Sequence, residues 1–166
     1  MVIGLMITNF REVGMYNKVY NDDVVTINTD GSCLGNPGVG GWAAILTYKG
    51  IEREISGGCD CRTTNNRMEL TAVIEGLKAL KRPCTVVIRS DSEYVVAGIN
   101  ERVRAWQKHK WRGCNANIDL WKTILGYMDY HNAVVAMWVK SHNDDPKNER
   151  CDKLAKSEAR QIRLCK

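Results

Sequence analysis

The stretch "INTDGSCLGNPGVGGWAAIL", residues 27–46, decides how this chain is read. An apolar, strand-like run stops at Asp30. Eleven residues with five glycines and a proline follow, and then an apolar run resumes. A surface hairpin needs about two to five turn residues. The excess is therefore read as a turn that holds something, with Asp30 standing where the strand delivers it.

Outward from this stretch the pattern is regular. Val24–Thr29, Gly41–Tyr48 and Ile51–Gly58 read as three strands, the last two joined by a tight turn at Lys49-Gly50. "TTNNRMELTAVIEGLKALK" repeats its apolar residues at helical spacing, with Thr64 or Asn65 as the cap and Pro83 as the stop. "CTVVIRSD" is a short β-branched run, read as a buried strand ending at Asp91. Helical stretches are expected around Ser92–Ile99, Glu101–Lys110 and Asn117–Asp129. "NAVVAMWVK" is a fifth strand, and "NERCDKLAKSEARQIR" closes the chain as a helix. Three strands followed by a helix–strand–helices–strand–helix series predict an α/β domain with a five-stranded mixed sheet flanked by helices.

The 166 residues are enough for one domain with a real core. That domain is read over residues 23–166, with residues 1–22, which show little period, as an N-terminal arm. At 44% apolar and 26% charged the composition is that of a soluble globular protein. No window reaches the ~18 apolar residues of a membrane span, and the N-terminus lacks a basic region and a cleavage site. A cytoplasmic protein with no membrane partner is expected. The seven cysteines are scattered and odd in number, so reduced thiols are expected. Cys59 and Cys61 are read as strand neighbours rather than as metal ligands. A net charge of +5 suits a polyanion partner but decides little alone.

Two aspartates, Asp30 and Asp91, stand at the C-terminal ends of apolar strands, where open α/β sheets place their chemistry. Glu69 sits inside the apolar face of the first long helix, and Asp152 near the start of the last. Four acids at one spot would repel one another and require cations, and hard oxygen ligands select Mg²⁺ or Mn²⁺. Two such ions suit phosphodiester hydrolysis, one activating water and one stabilising the leaving oxygen. Three of the four have an ordinary structural use as well: Asp30-Gly31 as a turn pair, Asp91-Ser92 as a helix start, and Asp152 at a helix N-terminus. Spacing alone does not show that the four meet.

"TDGSCLGNPGVGGWAAIL", "TTNNRMEL", "SDSEYV", "NIDLW" and "WVKSH…NERCD", in this order from about Val24 to Ala159, resemble the bacterial-type ribonuclease HI family. The resemblance implies an RNase H-like fold and Mg²⁺-dependent endonucleolytic cleavage of the RNA strand of RNA–DNA hybrids, leaving 5′-phosphate and 3′-hydroxyl ends. It places the four metal-ligating acids on Asp30, Glu69, Asp91 and Asp152, and the mobile-loop histidine on His142. That histidine would assist proton transfer or product release, and Glu149 would gate release. Cys33, Asn36, Asn65 and Asn66 would read the minor groove of the hybrid, with the "GSCLGNPG" backbone laid against it. Thr64 and Asn117 would take a DNA-strand phosphate. A monomer is expected. Asn65-Asn66 also reads as a helix cap, and the two uses are compatible.

Between Glu101 and Arg112 lie Arg102, Arg104, Lys108, Lys110 and Arg112, interleaved with Trp106 and Trp111. A solvated face explains the charges. Cations on phosphate and rings on sugars explain both residue types. Arg102, Trp106 and Trp111 are accordingly read as substrate-binding, on a basic protrusion shorter than the family's. The loop after His142 departs from the family in reading "NDDP", and Ser141 stands in place of a usual glycine. Asp144 and Asp145 are expected to favour the imidazolium form of His142. A DNA-strand nuclease or transferase on a similar fold, and a catalytically idle hybrid-binding module, are the rival readings. The groove-reading set argues against the first and the intact acids against the second.

Overall fold

The computed structural model describes residues 24–140 and 145–164. Five strands, β1 (Val24–Leu34), β2 (Gly38–Tyr48), β3 (Ile51–Thr63), β4 (Thr85–Ser90) and β5 (Ala133–Trp138), form one sheet in the order β3-β2-β1-β4-β5. β1, β2 and β3 are antiparallel, whereas β4 and β5 run parallel to β1. This is the five-stranded mixed sheet expected from the sequence.

Helices cover both faces. α1 (Asn65–Lys78) lays Leu70, Val73, Ile74 and Leu77 on Ile27, Ala44 and Leu46. α2 (Glu93–Ala97), a π-helical turn at Gly98–Arg102, α3 (Val103–Lys108) and α4 (Ile118–Tyr130) complete that layer around the fully buried Trp121. α5 (Pro146–Leu164) covers the opposite face, where Cys151 and Ala155 pack on Ala43 and Ile45.

The opening stretch is a hairpin after all. β1 runs on through Leu34 and β2 begins at Gly38, so only Gly35, Asn36 and Pro37 turn. Its glycines serve packing rather than an open loop. A Cβ on Gly31 would stand 2.2 Å from the Glu69 backbone nitrogen, and one on Gly41 2.1 Å from the Ala155 carbonyl oxygen. Both helices lie on the sheet where side chains are missing. Only Gly35, at φ +92°, is a turn glycine in this segment. Asp30 accordingly lies within a strand, not at its end.

Other boundaries also moved. The helical stretches expected at 92–99 and 101–110 form one run, in which the Val103 N–H reaches back to the Gly98 carbonyl and widens the helix by one residue. Lys49 and Gly50 make the tight turn as read, both at positive φ. Thr64 is the cap of α1, its Oγ1 accepting from Arg67 N–H at 3.4 Å. Cys59 and Cys61 are joined as a disulfide, against the expectation of reduced strand neighbours. The cause is local. The β2–β3 register shifts between Gly38 and Gly40, and the irregular strand brings the two Cα atoms to 5.2 Å. A regular strand holds such residues about 6.6 Å apart.

Candidate active site

The parallel ladder between β1 and β4 ends at the pair Asn28–Arg89. Asp30 and Asp91 each stand two residues beyond it, in the same row and on the sheet face that α5 covers. Glu69 arrives from the other side of β1, because the bare Gly31 lets the first turn of α1 lie directly on that strand. Asp152 arrives on α5, one residue after the buried Cys151. Four separate elements thus deliver the four acids to one end of the sheet.

Their proximity is written in the ionisation of Asp30. Buried at 8% exposure, it is pushed up to about 8, first by burial, then by Asp91, Asp152 and Glu69, against one stabilising bond from the Gly31 N–H at 2.7 Å. Glu69 is also raised, by burial and by Asp91, while the Ser92 hydroxyl donates to its Oε2 at 2.5 Å and opposes the rise. Asn65 Nδ2 donates to Glu69 Oε1 at 3.0 Å. Asn148 Nδ2 donates to Asp91 Oδ2 at 3.3 Å, and Lys156 Nζ to Asp152 Oδ2 at 2.7 Å.

This donor set fits a hard divalent cation. It consists of carboxylate oxygens, and burial first, then the neighbouring acids, push its central member, Asp30, up to about 8. The nearby Cys151 thiol is pushed up to about 12 and donates to the Asn28 carbonyl at 3.3 Å, so it is no competing thiolate. As the side chains stand, no three described His, Cys, Asp or Glu residues converge closely enough to hold one ion. Glu69 and Asp152 are turned to Asn65, Ser92 and Lys156 instead.

The other sequence-derived residues divide into two groups. Asn36, at the hairpin tip, accepts from Asn65 N–H at 3.0 Å, and Cys33 Sγ donates to the Thr63 carbonyl at 3.3 Å. Cys33, Asn36, Thr64, Asn65 and the exposed Asn66 therefore form one surface, joined to the acids by the Asn65–Glu69 bond. Asn117 is tied to that surface through Arg67, whose Nη1 donates to Asn117 Oδ1 at 3.3 Å. The second group stands on the helical run. Arg102 is exposed on the π-helical turn. Trp106 is half-buried and packs edge-on against Trp121 at 5.6 Å. Trp111 is half-buried, with Lys122 Nζ 5.6 Å from its ring centre. Arg104 is paired with Asp129 at 2.6 Å. His142 and Asp144 lie outside the described residues. Asp145 caps α5 and pairs with Arg89 at 2.9 Å.

Sequence reading missed Arg67, Ser92 and Asn148. Arg67 also makes a two-bond pair with Asp119 and so fixes the start of α4 against the start of α1. Ser92 had a signal, as the polar residue opening α2, but its bond to Glu69 joins residues 23 positions apart. Nothing in the spacing marks Asn148 as a partner of Asp91.

The profile of the RNase H family matches residues 22–160. Ribonuclease HI of Helicobacter pylori is 53% identical over 135 residues, covering 81% of this chain and 92% of that protein. The crystal structure of LC9-RNase H1, a type 1 RNase H with the type 2 active-site motif, superposes with a TM-score of 0.75. It shares 29% identity over 84% of this chain and 74% of that one. LC11-RNase H1, solved in complex with an RNA/DNA hybrid, superposes with a TM-score of 0.61 at 25% identity, over 82% of this chain and 97% of that one. A fold that superposes on solved RNase H structures, a shared sequence over most of the chain and acids in the motifs that carry the resemblance lead to one conclusion: the chain belongs to the RNase H family, as a hydrolase of the ribonuclease HI type.

Proposed function

We propose that this protein is an endoribonuclease that cleaves the RNA strand of RNA–DNA hybrids, using Asp30, Glu69, Asp91 and Asp152 to hold two Mg²⁺ ions, with Mn²⁺ as the alternative. The observation that carries the proposal is the arrival of four acids from four elements at one end of the sheet, where Asp30, raised to about 8 first by its burial, also feels Asp91, Asp152 and Glu69. Membership of the family supports it, as does the hybrid bound to LC11-RNase H1. When bound, the ions supply an activated water and a stabilised leaving oxygen.

The chain's own residues supply the rest. Asn148, Ser92 and Asn65 orient Asp91 and Glu69 through the bonds given above. Cys33, Asn36, Asn65 and Asn66 read the RNA minor groove, beside the acids because Asn65 touches both Asn36 and Glu69. Thr64 and Asn117 take a phosphate of the DNA strand, at a spacing set by Arg67. Arg102 and Trp111 extend the grip, and His142 assists proton transfer or product departure. Attack on the RNA strand leaves 5′-phosphate and 3′-hydroxyl ends. The protein acts as a monomer in the cytoplasm. No helix among the described residues is long and apolar enough to cross a membrane.

A cleavage assay on strand-labelled hybrid, double-stranded RNA and double-stranded DNA, with Mg²⁺ and with EDTA, tests the proposal. The expected result is Mg²⁺-dependent cutting of the RNA strand of the hybrid alone, at internal positions, with 5′-phosphate ends. Cutting of the DNA strand, or hybrid cleavage that survives EDTA, would contradict it.

A further inference from the structure

One carboxylate joins the three elements that carry Asp30, Asp91 and Asp152. Asp145 stands at the start of α5 with its side chain 11% exposed. Its Oδ1 accepts the N–H groups of Lys147 and Asn148 at 3.0 and 3.4 Å, which caps the helix. Its Oδ2 faces the sheet, where it accepts from Asn28 Nδ2 at 3.1 Å and pairs with Arg89 Nη2 at 2.9 Å. Asn28 and Arg89 are the last partners of the parallel β1–β4 ladder, each two residues before a candidate metal ligand. Asn148 continues the chain of contacts to Asp91, and the Cys151 thiol holds α5 to the Asn28 carbonyl. Asn28 and Asn148 are buried at 1% and 3% exposure.

A cap needs only one oxygen and no charge. Here the second oxygen is spent on two strands, and its cationic partner comes from the strand of Asp91. An arginine–carboxylate bond is stronger and more directional than a neutral one. Beside a group of mutually repelling acids, such a tie opposes the spreading that repulsion favours. We infer that Asp145 is a positioning residue for the candidate metal site, fixing the spacing of Asp30, Asp91 and Asp152 by clamping β1, β4 and α5 to one carboxylate. The inference rests on the reading of those acids as metal ligands, which it deepens by naming what holds them in place.

The test is a calorimetric titration of Mn²⁺ into the full chain without substrate, at a temperature where every variant is folded. The proteins compared are the parent, Asp145→Ala, Asp145→Asn, Asp30→Asn and Ile124→Ala. Groups that orient metal ligands change affinity by roughly 10- to 100-fold when removed. Asp145→Ala is therefore expected to weaken Mn²⁺ binding by about tenfold, with KM for a hybrid unchanged. Asp145→Asn, which retains the cap oxygen and loses the charge, should weaken it less. Ile124→Ala, a core deletion in α4, lowers stability and should leave Mn²⁺ affinity within about twofold of the parent. Asp145→Ala within about twofold of the parent, or Ile124→Ala weakened equally, would overturn the clamp. If Asp145→Ala fails to fold, Asp145→Asn and Arg89→Gln are held to the same comparison. A parent that binds no Mn²⁺, or binds it as well after Asp30→Asn, overturns the metal reading itself and the clamp with it.

Discussion

Asp30 shows how one side chain registers the whole site. Its carboxyl rises from 3.8 to about 8, so between these pH values the folded protein holds a proton that the unfolded chain has released. Stability from this group is complete below the unfolded value and is lost as pH rises through about 8. The slope is at most about 1.4 kcal/mol per pH unit. Asparagine has nearly the same shape and no charge. In EDTA, Asp30→Asn should therefore melt above the parent, and the gap should widen from pH 5.5 to pH 8. Thermal unfolding at both pH values checks this, and a gap that ignores pH would remove the crowding from the description. Asp145 carries the opposite lesson about residues. In the sequence it looks like loop charge beside His142; in the fold its oxygens go to a cap, Asn28 and Arg89. A residue with partners 117 positions away gives no local sign of them.

At the scale of elements, the legible part of the fold was the part set by local pattern. The alternating runs gave the strands, the 3.6-residue spacing gave α1, and Lys49-Gly50 gave a turn. Errors arose where another element decides what a residue is for. Glycines 31 and 41 look like turn residues, yet each is bare because a helix lies on it. Gly98 is a similar case. Helix propensity alone says that alanine there should stabilise by about 1 kcal/mol. But a Cβ would stand 1.9 Å from the Trp121 ring, which is fully buried and donates its Nε1–H to the Tyr94 hydroxyl at 2.8 Å. Overpacking costs about 1–3 kcal/mol. Gly98→Ala should thus lower Tm by roughly 5 °C for a chain of this size. A melting temperature at or above the parent's would mean that the ring yields freely and that the widened helix is not shaped around it.

Across the whole molecule, the sheet is a device for gathering acids that its own electrostatics would scatter. Two strands run parallel and deliver Asp30 and Asp91 in one row. Helices on opposite faces then bring Glu69 and Asp152 to the same end. The acids themselves were visible in the sequence, in the motifs that carry the family resemblance. Their convergence was not visible, because it depends on strand order and on glycines that admit the helices. The most direct test is single-turnover cleavage of a strand-labelled hybrid in Mg²⁺ by Asp30→Asn, Glu69→Gln, Asp91→Asn and Asp152→Asn, with hybrid affinity measured in parallel. If the four act as one metal site, Asp30→Asn and Glu69→Gln abolish cutting of the RNA strand. Each should bind hybrid as well as the parent or more tightly, since a charge that repels phosphate has gone. Near-normal cleavage by either of those two variants would contradict the account.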